Sequence, residues 1–350
     1  MLTFIAEKAA EDATALVRPG GEQMTYATLA MASAAIMQAV GARVGDVAHR
    51  IVGVAVDEGA GFVASVLAVL EAGGVLLPLD GRRGIAALEV EAARAHALAV
   101  IVGVAEEDRL DVVAVDASRR ELPAEACMLL DAGGRRAVHS RATLGIGVDA
   151  VVAALALDGT SRVAIEAPLG ETTALLTALA TLRAGGALVV GSAAGGNVVL
   201  PRALDTAEAL RVAIIDDSGA ARALPGVALR QEGDALEVRS PTMMLGYLDD
   251  AEATRAAFVE RDGERWVRAH AAGFVDAAAL ERSIAATAGV REAAVLVVRS
   301  SAGERVYAFV AGDATAVPRH PARVVALESL PHRGDGAVDR EALRRMVSVD

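Results

Sequence analysis

Apolar residues in the first part of the chain follow two alternating spacings. Residues 25–40 place them at helical spacing behind Thr25, a residue type that caps helix N-termini. HRIVGVAVDEG predicts a buried strand, GFVASVLAVLEAGG predicts a helix that ends at Gly73 and Gly74, and VLLPLD predicts another strand. The order helix, strand, helix, strand is typical of an α/β lobe with buried parallel strands.

A second unit repeats this order farther along the chain. RVAIEAPL predicts a strand, ETTALLTALATLRAGG a helix with a Gly-Gly stop, and ALVVGS a strand. The segments VLAVLEAGGVLLPLD and ALATLRAGGALVVGS resemble each other closely, which indicates two similarly built α/β lobes. We expect these sub-lobes at about residues 1–120 and 121–200.

The pattern changes beyond residue 200. Short strands and turns such as VAIIDDSGAA and ALEVRSP predict a small β-rich lobe over about 201–276. The helix ALERSIAATAG, the strands AAVLVVR and RVYAFVAG and the helix DREALRRM then predict a small α+β domain. Because 350 residues exceed one ordinary core, we predict an α/β protein of two domains, residues 1–276 and 277–350.

Composition narrows the classes of partner. The chain has a net charge of -12 and a pI near 5.1, which argues against nucleic acid and anionic membranes, because both require a basic surface. Aromatic residues make up only 3% of a chain that is 54% apolar, so Ala, Val and Leu must supply most of the packing. This composition suits helices packed on buried strands.

Targeting signals are not evident in the sequence. Acidic residues in MLTFIAEKAAED stand where a signal peptide has a basic stretch and an apolar core. The uncharged span between Arg183 and Arg202 is rich in glycine and predicts a loop with short strands, not a membrane helix. A single cysteine, Cys127, allows a reducing compartment. We therefore expect a cytoplasmic protein without a membrane span.

Five segments, taken in order, resemble the adenylate-forming superfamily. They are TYATLAMASAAIMQAVGARVGDV, FVASVLAVLEAGGVLLPLD, SPTMMLGYLDDAEATRAAF, RWVRAHAAGFVD and ESLPHRGDGAVDREALR. The superfamily contains acyl-CoA synthetases, adenylation domains of nonribosomal peptide synthetases, and luciferases. No single motif is decisive, but the collinear order of all five is specific.

The resemblance implies a reaction in which a carboxylate attacks the α-phosphate of ATP, so growing negative charge must be neutralised. Four elements of the superfamily serve this reaction. They are a hydroxyl-rich glycine loop with a lysine, an aromatic-Gly-Thr-Glu segment for Mg²⁺, a Thr-Gly-Asp that holds the ribose, and a lysine near the C-terminus.

The first element corresponds to CMLLDAGGRRAVHSRATL. Gly133, Gly134, Arg135 and Arg136 stand at the glycine-loop position, preceded by Asp131. Glycine amides and an arginine can bind a phosphate, but arginine is a planar fork that does not replace a lysine point charge freely. The alternative interpretation, a plain hairpin turn with solvated arginines, stays open at this stage.

The second element has no recognisable counterpart. Glu208 lies in NVVLPRALDTAEAL without the aromatic-Gly-Thr context, and we expect an ordinary glutamate on a helix surface. The superfamily has a long insertion here that builds much of the acyl-substrate pocket, so we expect that pocket to be reduced or lost.

The third and fourth elements have lost their charged groups. Ala269, His270 and Ala271 occupy the Thr-Gly-Asp positions behind Trp266, and a methyl group cannot accept hydrogen bonds from ribose hydroxyls. His270 has a nitrogen that could meet a ligand, although a loop histidine without function is the simpler interpretation. In LPHRGDGAVDR, Ala337 stands at the lysine position, and Lys8 is the only lysine in the chain.

These losses favour a non-catalytic homologue, a pseudoenzyme that acts through contacts with an acyl carrier protein or a biosynthetic partner enzyme. We predict no catalytic residue and no metal ligand; Gly133, Gly134, Arg135, Arg136 and His270 are vestigial nucleotide-binding candidates. The alternative is an active acid-CoA ligase or adenylation enzyme in which Arg135 and Arg136 clamp the phosphates; only this alternative requires ATP or AMP and Mg²⁺. A third hypothesis is a domain that dimerises or stabilises a larger enzyme.

Overall fold

The protein is described by a computed structural model with side chains. It covers residues 11–18, 21–56, 59–104, 109–115, 120, 122–165, 169–190, 196–198, 202–215, 221–232, 235–269, 277–300, 303–317, 323–333 and 338–347.

Helices and strands alternate through the first half of the chain. The elements up to residue 115 are β1 (Thr14–Val17), β2 (Gln23–Thr25), α1 (Tyr26–Val44), β3 (Ile51–Ala55), α2 (Ala60–Glu71), β4 (Val75–Pro78), α3 (Ile85–Arg94), β5 (Ala99–Val104) and β6 (Arg109–Ala114). Those up to residue 190 are β7 (Ala126–Ala132), β8 (Arg135–Ser140), α4 (Arg141–Leu155), β9 (Arg162–Ile165), α5 (Thr172–Arg183) and β10 (Ala187–Val190).

Strands dominate the second half. The elements up to residue 269 are β11 (Arg202–Leu204), β12 (Ala213–Ile215), β13 (Ala221–Ala223), β14 (Ala228–Glu232), β15 (Ala235–Arg239), β16 (Gly246–Tyr247), α6 (Ala251–Ala257), β17 (Phe258–Arg261) and β18 (Glu264–Ala269). The last elements are α7 (Ala277–Ala285), β19 (Val290–Ser300), β20 (Gly303–Gly312), a short 3-10 helix (Ala314–Ala316), β21 (Arg323–Leu327) and α8 (Arg340–Val347).

A seven-stranded sheet forms the centre of the N-terminal part, in the order β16-β8-β7-β4-β3-β5-β6. Strands β4 and β5 run parallel to β3 on its two sides, and β7 runs parallel to β4. Every residue of β3 is buried, as its continuous apolar run predicts. Helix α2 fills the core beside this sheet, with Ala60 and Phe62–Leu70 all buried. The predicted mixed α/β class is confirmed.

The second sheet has the order β2-β1-β10-β9 and joins distant parts of the chain. Strand β1 pairs in parallel with β10, with Leu16 opposite Leu188. This pairing crosses the sub-lobe boundary expected near residue 120, because the N-terminal strand completes the sheet of the second unit. The domain limits at 276 and 277 remain a prediction.

Three smaller sheets complete the fold: β11-β12-β13, β14-β15-β18-β17 and β19-β20-β21. The first two are antiparallel and lie in the region predicted as β-rich. In the third, β20 pairs antiparallel with β19 and parallel with β21. Helices α7 and α8 both pack on β19, so the alternation predicted for the last segment is observed.

Local sequence signals explain where the main helices begin and end. The Oγ1 of Thr25 accepts a hydrogen bond from the amide of Thr28 at 3.1 Å, so Thr25 caps α1 as predicted. Ser140 caps α4 in the same way, accepting from Thr143 at 3.1 Å. Helices α3, α4 and α6 were not predicted from the apolar pattern. The single cysteine, Cys127, is fully buried on β7.

Helix α1 is the one helix among the described residues that is long and apolar enough to cross a membrane by length and composition alone. Its mean hydropathy is 1.3 over the best window, of which 22% is buried inside the fold. The buried side chains Leu29, Ser33 and Val40 face the rest of the protein, and α1 packs on α2. The expectation of a chain without a membrane span stays a prediction.

Candidate functional site

The glycine-loop position is a tight hairpin between β7 and β8. Ala132 pairs with Arg135, which leaves only Gly133 and Gly134 to form the turn. Their φ angles are +64° and +91°, the left-handed conformations that a two-residue hairpin turn requires and that glycine adopts without strain. The chain therefore reverses direction at once and leaves no extended loop to surround a phosphate.

Arg136 lies beside the turn and is ion-paired within the chain. Its guanidinium contacts Asp131 at 3.2 Å and also pairs with Glu91 of α3. The same Glu91 carboxylate pairs with Arg83, so it lies between two guanidinium groups. Only 17% of the Arg136 side chain is exposed, which makes these pairs stronger than open surface contacts. A phosphate would have to compete with both carboxylates for Arg136.

Arg135 has a carboxylate partner from a different part of the sequence. Its Nε donates to Asp250 at 3.0 Å, and its guanidinium lies 5.8 Å from the centre of the Tyr247 ring. Asp250 caps α6 by accepting from the amide of Ala253 at 2.8 Å. This backbone hydrogen bond and the Arg135 contact hold the pKa of Asp250 below its usual range. The plain hairpin turn of the alternative interpretation is observed and Arg135 is exposed, but Arg136 is largely buried, and each arginine has a partner that is distant in sequence.

An open recess of about 540 Å³ lies between α3 and the hairpin. Three arginines, Arg83, Arg94 and Arg136, line it together with Glu91 and Asp131. Its charges are thus mixed, and the acidic groups stand next to the arginines that the alternative function assigns to phosphate. The recess offers a surface for contacts more readily than a phosphate site.

The described position of Glu208 corrects the sequence-based expectation. Glu208 is 0% exposed and lies on the connection between β11 and β12, not on a helix surface. The hydroxyl of Tyr247 donates to its Oε1 at 2.9 Å. The connection is drawn inward because Ala209 forms a bridge to Met243, and the amide of Met244 donates to the carbonyl of Glu208 at 2.8 Å.

His139 is a second fully buried polar residue near Glu208. Its Nε2 donates to the carbonyl of Ala207 at 2.7 Å, while Nδ1 has no hydrogen-bond partner. Complete burial lowers the pKa of His139 to about 4, although the Ala207 carbonyl and the Glu208 charge act in the opposite direction. Its neighbour Ser140 serves as the α4 cap, so the two residues form no nucleophile-base pair.

The described residues do not fit a Mg²⁺ site. They contain no group of three His, Cys, Asp or Glu side chains that could hold a metal ion. The carboxylate weighed for this role, Glu208, is inaccessible and already accepts a hydrogen bond from Tyr247.

The structure describes the strand that precedes the positions of the superfamily's ribose-binding motif, but only the first of those positions, Ala269. Trp266 lies on β18 opposite Val259 of β17, and the Arg239 guanidinium lies 5.7 Å from the centre of its ring. Strand β18 ends at Ala269. His270 and Ala271 lie outside the described residues, and so do the segment before Ala277 and the C-terminal Ala337. Their predicted roles therefore remain predictions from the sequence.

A second cavity lies at the carboxyl ends of β3 and β4. It measures about 220 Å³ and has an apolar wall that includes Phe62, Leu79 and Leu169. Asp80 and Arg82 at its edge pair with each other at 2.8 Å. Sequence reasoning did not find this cavity, because three separate segments of the chain form it.

Glu91 and Asp250 are the other residues that sequence reasoning missed. They lie 45 and 115 positions from the arginines with which they pair. No local pattern connects such positions, although the Asp at the start of a predicted helix is a general signal for a cap.

Comparisons with known proteins agree with the predicted resemblance. The family model described as AMP-binding enzyme matches residues 4–138, a range that includes the hairpin turn. No curated protein sequence matches the chain.

Solved structures share the fold at low sequence identity. Apo MatB from Rhodopseudomonas palustris has a TM-score of 0.62 at 18% identity, with 96% of each chain covered. The amide bond synthetase McbA from Marinactinospora thermotolerans has a TM-score of 0.59 at 18% identity, with 98% of each chain covered. The o-succinylbenzoate CoA synthetase MenE from Bacillus subtilis has a TM-score of 0.59 at 12% identity, covering 95% of this chain and 96% of that one.

At these identities the likeness establishes the fold, and the AMP-binding match adds a family signal in the N-terminal part of the sequence. The AMP-binding match over residues 4–138 and the shared fold both agree with the resemblance to the adenylate-forming superfamily.

Proposed function

We propose that this chain is a non-catalytic member of the superfamily that acts through protein contacts. The proposal rests chiefly on one observation: both arginines at the glycine-loop position are paired with carboxylates of the same chain. A residue that binds a triphosphate must be available to it, whereas Arg135 and Arg136 stabilise the connections from the hairpin to α6 and α3.

Two sequence features and the hairpin geometry support the same conclusion. Ala271 and Ala337 replace the ribose-binding aspartate and the C-terminal lysine that the superfamily uses, and neither methyl group can take over a charged role. The closed turn at Gly133 and Gly134 replaces the hydroxyl-rich loop. We expect the protein to be cytoplasmic.

For the partner we favour an acyl carrier protein or a biosynthetic enzyme that contacts the outer surface of α3. Ile85 and Val90 are 55% and 52% exposed on α3, and Arg94 is exposed one turn beyond Val90. Apolar side chains next to arginine are typical of protein contact surfaces. The recess between α3 and the hairpin adds concave surface at the same place.

Nucleotide binding is the decisive test of the non-catalytic proposal. Isothermal titration of the full chain with ATP and Mg²⁺, and ATP-pyrophosphate exchange with a panel of carboxylic acids, should both give no signal. An active acyl-CoA synthetase assayed in parallel verifies the reagents. Micromolar ATP binding together with exchange above background would overturn the proposal.

The partner proposal has a separate test. Titration with a purified acyl carrier protein from the same organism should give binding that Val90→Glu weakens about tenfold or more, a loss of about 1.4 kcal/mol. Val324→Glu, at a position that is 41% exposed on β21, is the matched control and should leave binding unchanged. Equal binding by both variants would place the contact elsewhere.

A further inference from the structure

The exposed side of α1 is unusually neutral for this protein. Residues 23–42 contain no charged side chain, although the whole chain has a net charge of -12. We define the outer face of α1 as its exposed residues Met31, Ala34, Ala35, Gln38, Ala39 and Ala42. At 100° per residue these six positions form one continuous stripe along the helix.

Small side chains make this face suitable for close helix packing. Four of the six residues are alanines, so a second helix can approach closely along most of the stripe. Met31 is the exception: it is 68% exposed and is the most exposed of the large apolar side chains in the described part of the chain. The long, flexible Met31 side chain can therefore pack into the space above the alanines of a facing helix.

The first described residues lie before α1 and are acidic, and the last turn of α1 is basic, although Asp46 follows beyond the C-cap Gly45. Glu11 and Asp12 are exposed at the N-terminal end of α1, where the amide of Ala27 donates to the carbonyl of Glu11 at 3.0 Å. Arg43 is exposed in the last turn of the helix. Within the described residues, none of these three side chains forms an ion pair. Each end therefore keeps a charge available for a partner.

We infer that the outer face of α1 binds the same face of a second copy of this chain, in an antiparallel helix pair. Two-fold symmetry brings the same surface of both copies together, so the acidic end of one α1 lies near Arg43 of the other. A parallel pair would instead place like charges side by side. The neutral stripe also allows two strongly acidic molecules to meet along residues 23–42 without opposing carboxylates, and Asp46 comes near the acidic end of the partner only beyond the stripe.

A specific register follows from the positions of Met31 and Ala42. A two-fold axis near residues 36 and 37 sets Met31 opposite Ala42 and sets Arg43 opposite Ala30. Ala30 is one turn from Ala27, about 4.5 Å along the axis, so the long Arg43 side chain can reach Glu11 or Asp12. Helix α1 has 19 residues and is about 28 Å long. A contact of this size is near the lower limit for specific interfaces, so we expect a reversible dimer with a Kd of about 10 to 100 µM.

Sedimentation velocity on the full chain over about 1 to 200 µM tests this inference across the expected Kd. Met31→Glu should abolish the dimer, because two glutamates would be buried in the stripe. Ile146→Glu, the same kind of change at an exposed helical position on α4, should leave the dimer intact. Circular dichroism of Met31→Glu verifies that the variant remains folded.

Charge exchange tests the antiparallel orientation. Arg43→Glu should raise the Kd about tenfold, and combining it with Glu11→Arg and Asp12→Arg should restore the original value. A strict monomer over the whole range would overturn the inference, and so would a dimer that Met31→Glu leaves unchanged. Flotation with neutral phosphatidylcholine vesicles that Met31→Glu abolishes would identify a lipid surface as the occupant and also overturn it.

Discussion

The hydroxyl of Tyr247 donates a hydrogen bond to the buried carboxylate of Glu208, 39 positions earlier in the chain. The bond links β16, which pairs with β8 of the hairpin, to the segment between β11 and β12. Burial raises the pKa of Tyr247, and the Glu208 charge and the hydrogen bond to Glu208 raise it further. The hydrogen bond thereby fixes the β11–β12 connection against β16 of the seven-stranded sheet.

We predict that Tyr247→Phe lowers the free energy of unfolding by about 2 kcal/mol, because a buried carboxylate loses a hydrogen-bond donor. Urea denaturation at pH 7 measures the change. Tyr307→Phe is the matched control, since Tyr307 is also buried but its hydroxyl has no hydrogen bond within the described residues. The control should lose less than about 0.5 kcal/mol. An equal loss in both variants would mean that the Glu208 contact contributes nothing specific.

Arg136→Ala should reduce stability and leave nucleotide binding unchanged at its background level. We expect a loss of about 1 kcal/mol, because the pairs with Glu91 and Asp131 are partly buried. Arg135→Ala should lose less, since its pair with Asp250 is more exposed. Thermal unfolding and ATP titration of both variants make the comparison. If Arg136→Ala retains full stability but removes measurable ATP binding, the phosphate-clamp alternative is correct.

Stability should fall as the pH is lowered from 7 to 5, with His139 as one identifiable source. Its folded-state pKa of about 4 lies below the unfolded value of 6.5, so the unfolded chain binds the proton first. This difference stabilises the fold above pH 6.5 and is lost as the pH falls toward 4. Between pH 7 and pH 5 the expected loss is about 2 kcal/mol.

His139→Gln should flatten this pH dependence, because the glutamine amide can still donate to the Ala207 carbonyl but does not titrate. Denaturant unfolding at pH 5, 6 and 7 gives the slope for each protein. His49→Asn serves as control, since His49 is exposed and its φ of +57° is one that asparagine tolerates. If His139→Gln has the slope of the wild-type protein, other groups carry the pH dependence.

Predictions based on short-range patterns agree well with the structure. Thr25 caps α1, Gly73 and Gly74 follow α2, and the apolar run at residues 51–55 is a completely buried strand. Each depends on a few neighbouring residues, so a single sequence contains enough information. Helix α3 is a local feature that was not predicted, although its buried residues Leu88 and Ala92 have helical spacing.

Contacts between distant residues could not be predicted in the same way. The pairing of β1 with β10 joins residues 16 and 188, and the apolar pattern of β1 contains no information about which strand it meets. Glu208 was expected on a surface because its neighbours resemble a polar helix. Its burial depends on Tyr247 and on the bridge between Ala209 and Met243, neither of which a local pattern reveals.

The sequence by itself determined the α/β class, the positions of several helices and buried strands, the superfamily resemblance, and the alanines at 271 and 337, where that resemblance implies charged residues. Hydrophobic periodicity and residue chemistry are local properties, so they can be inferred without coordinates. Only the tertiary structure decided the state of Arg135 and Arg136, because their charges are neutralised by Asp250 and Glu91 from other elements. Whether a charged side chain can bind a ligand depends on the groups that the fold brings within a few ångströms of it.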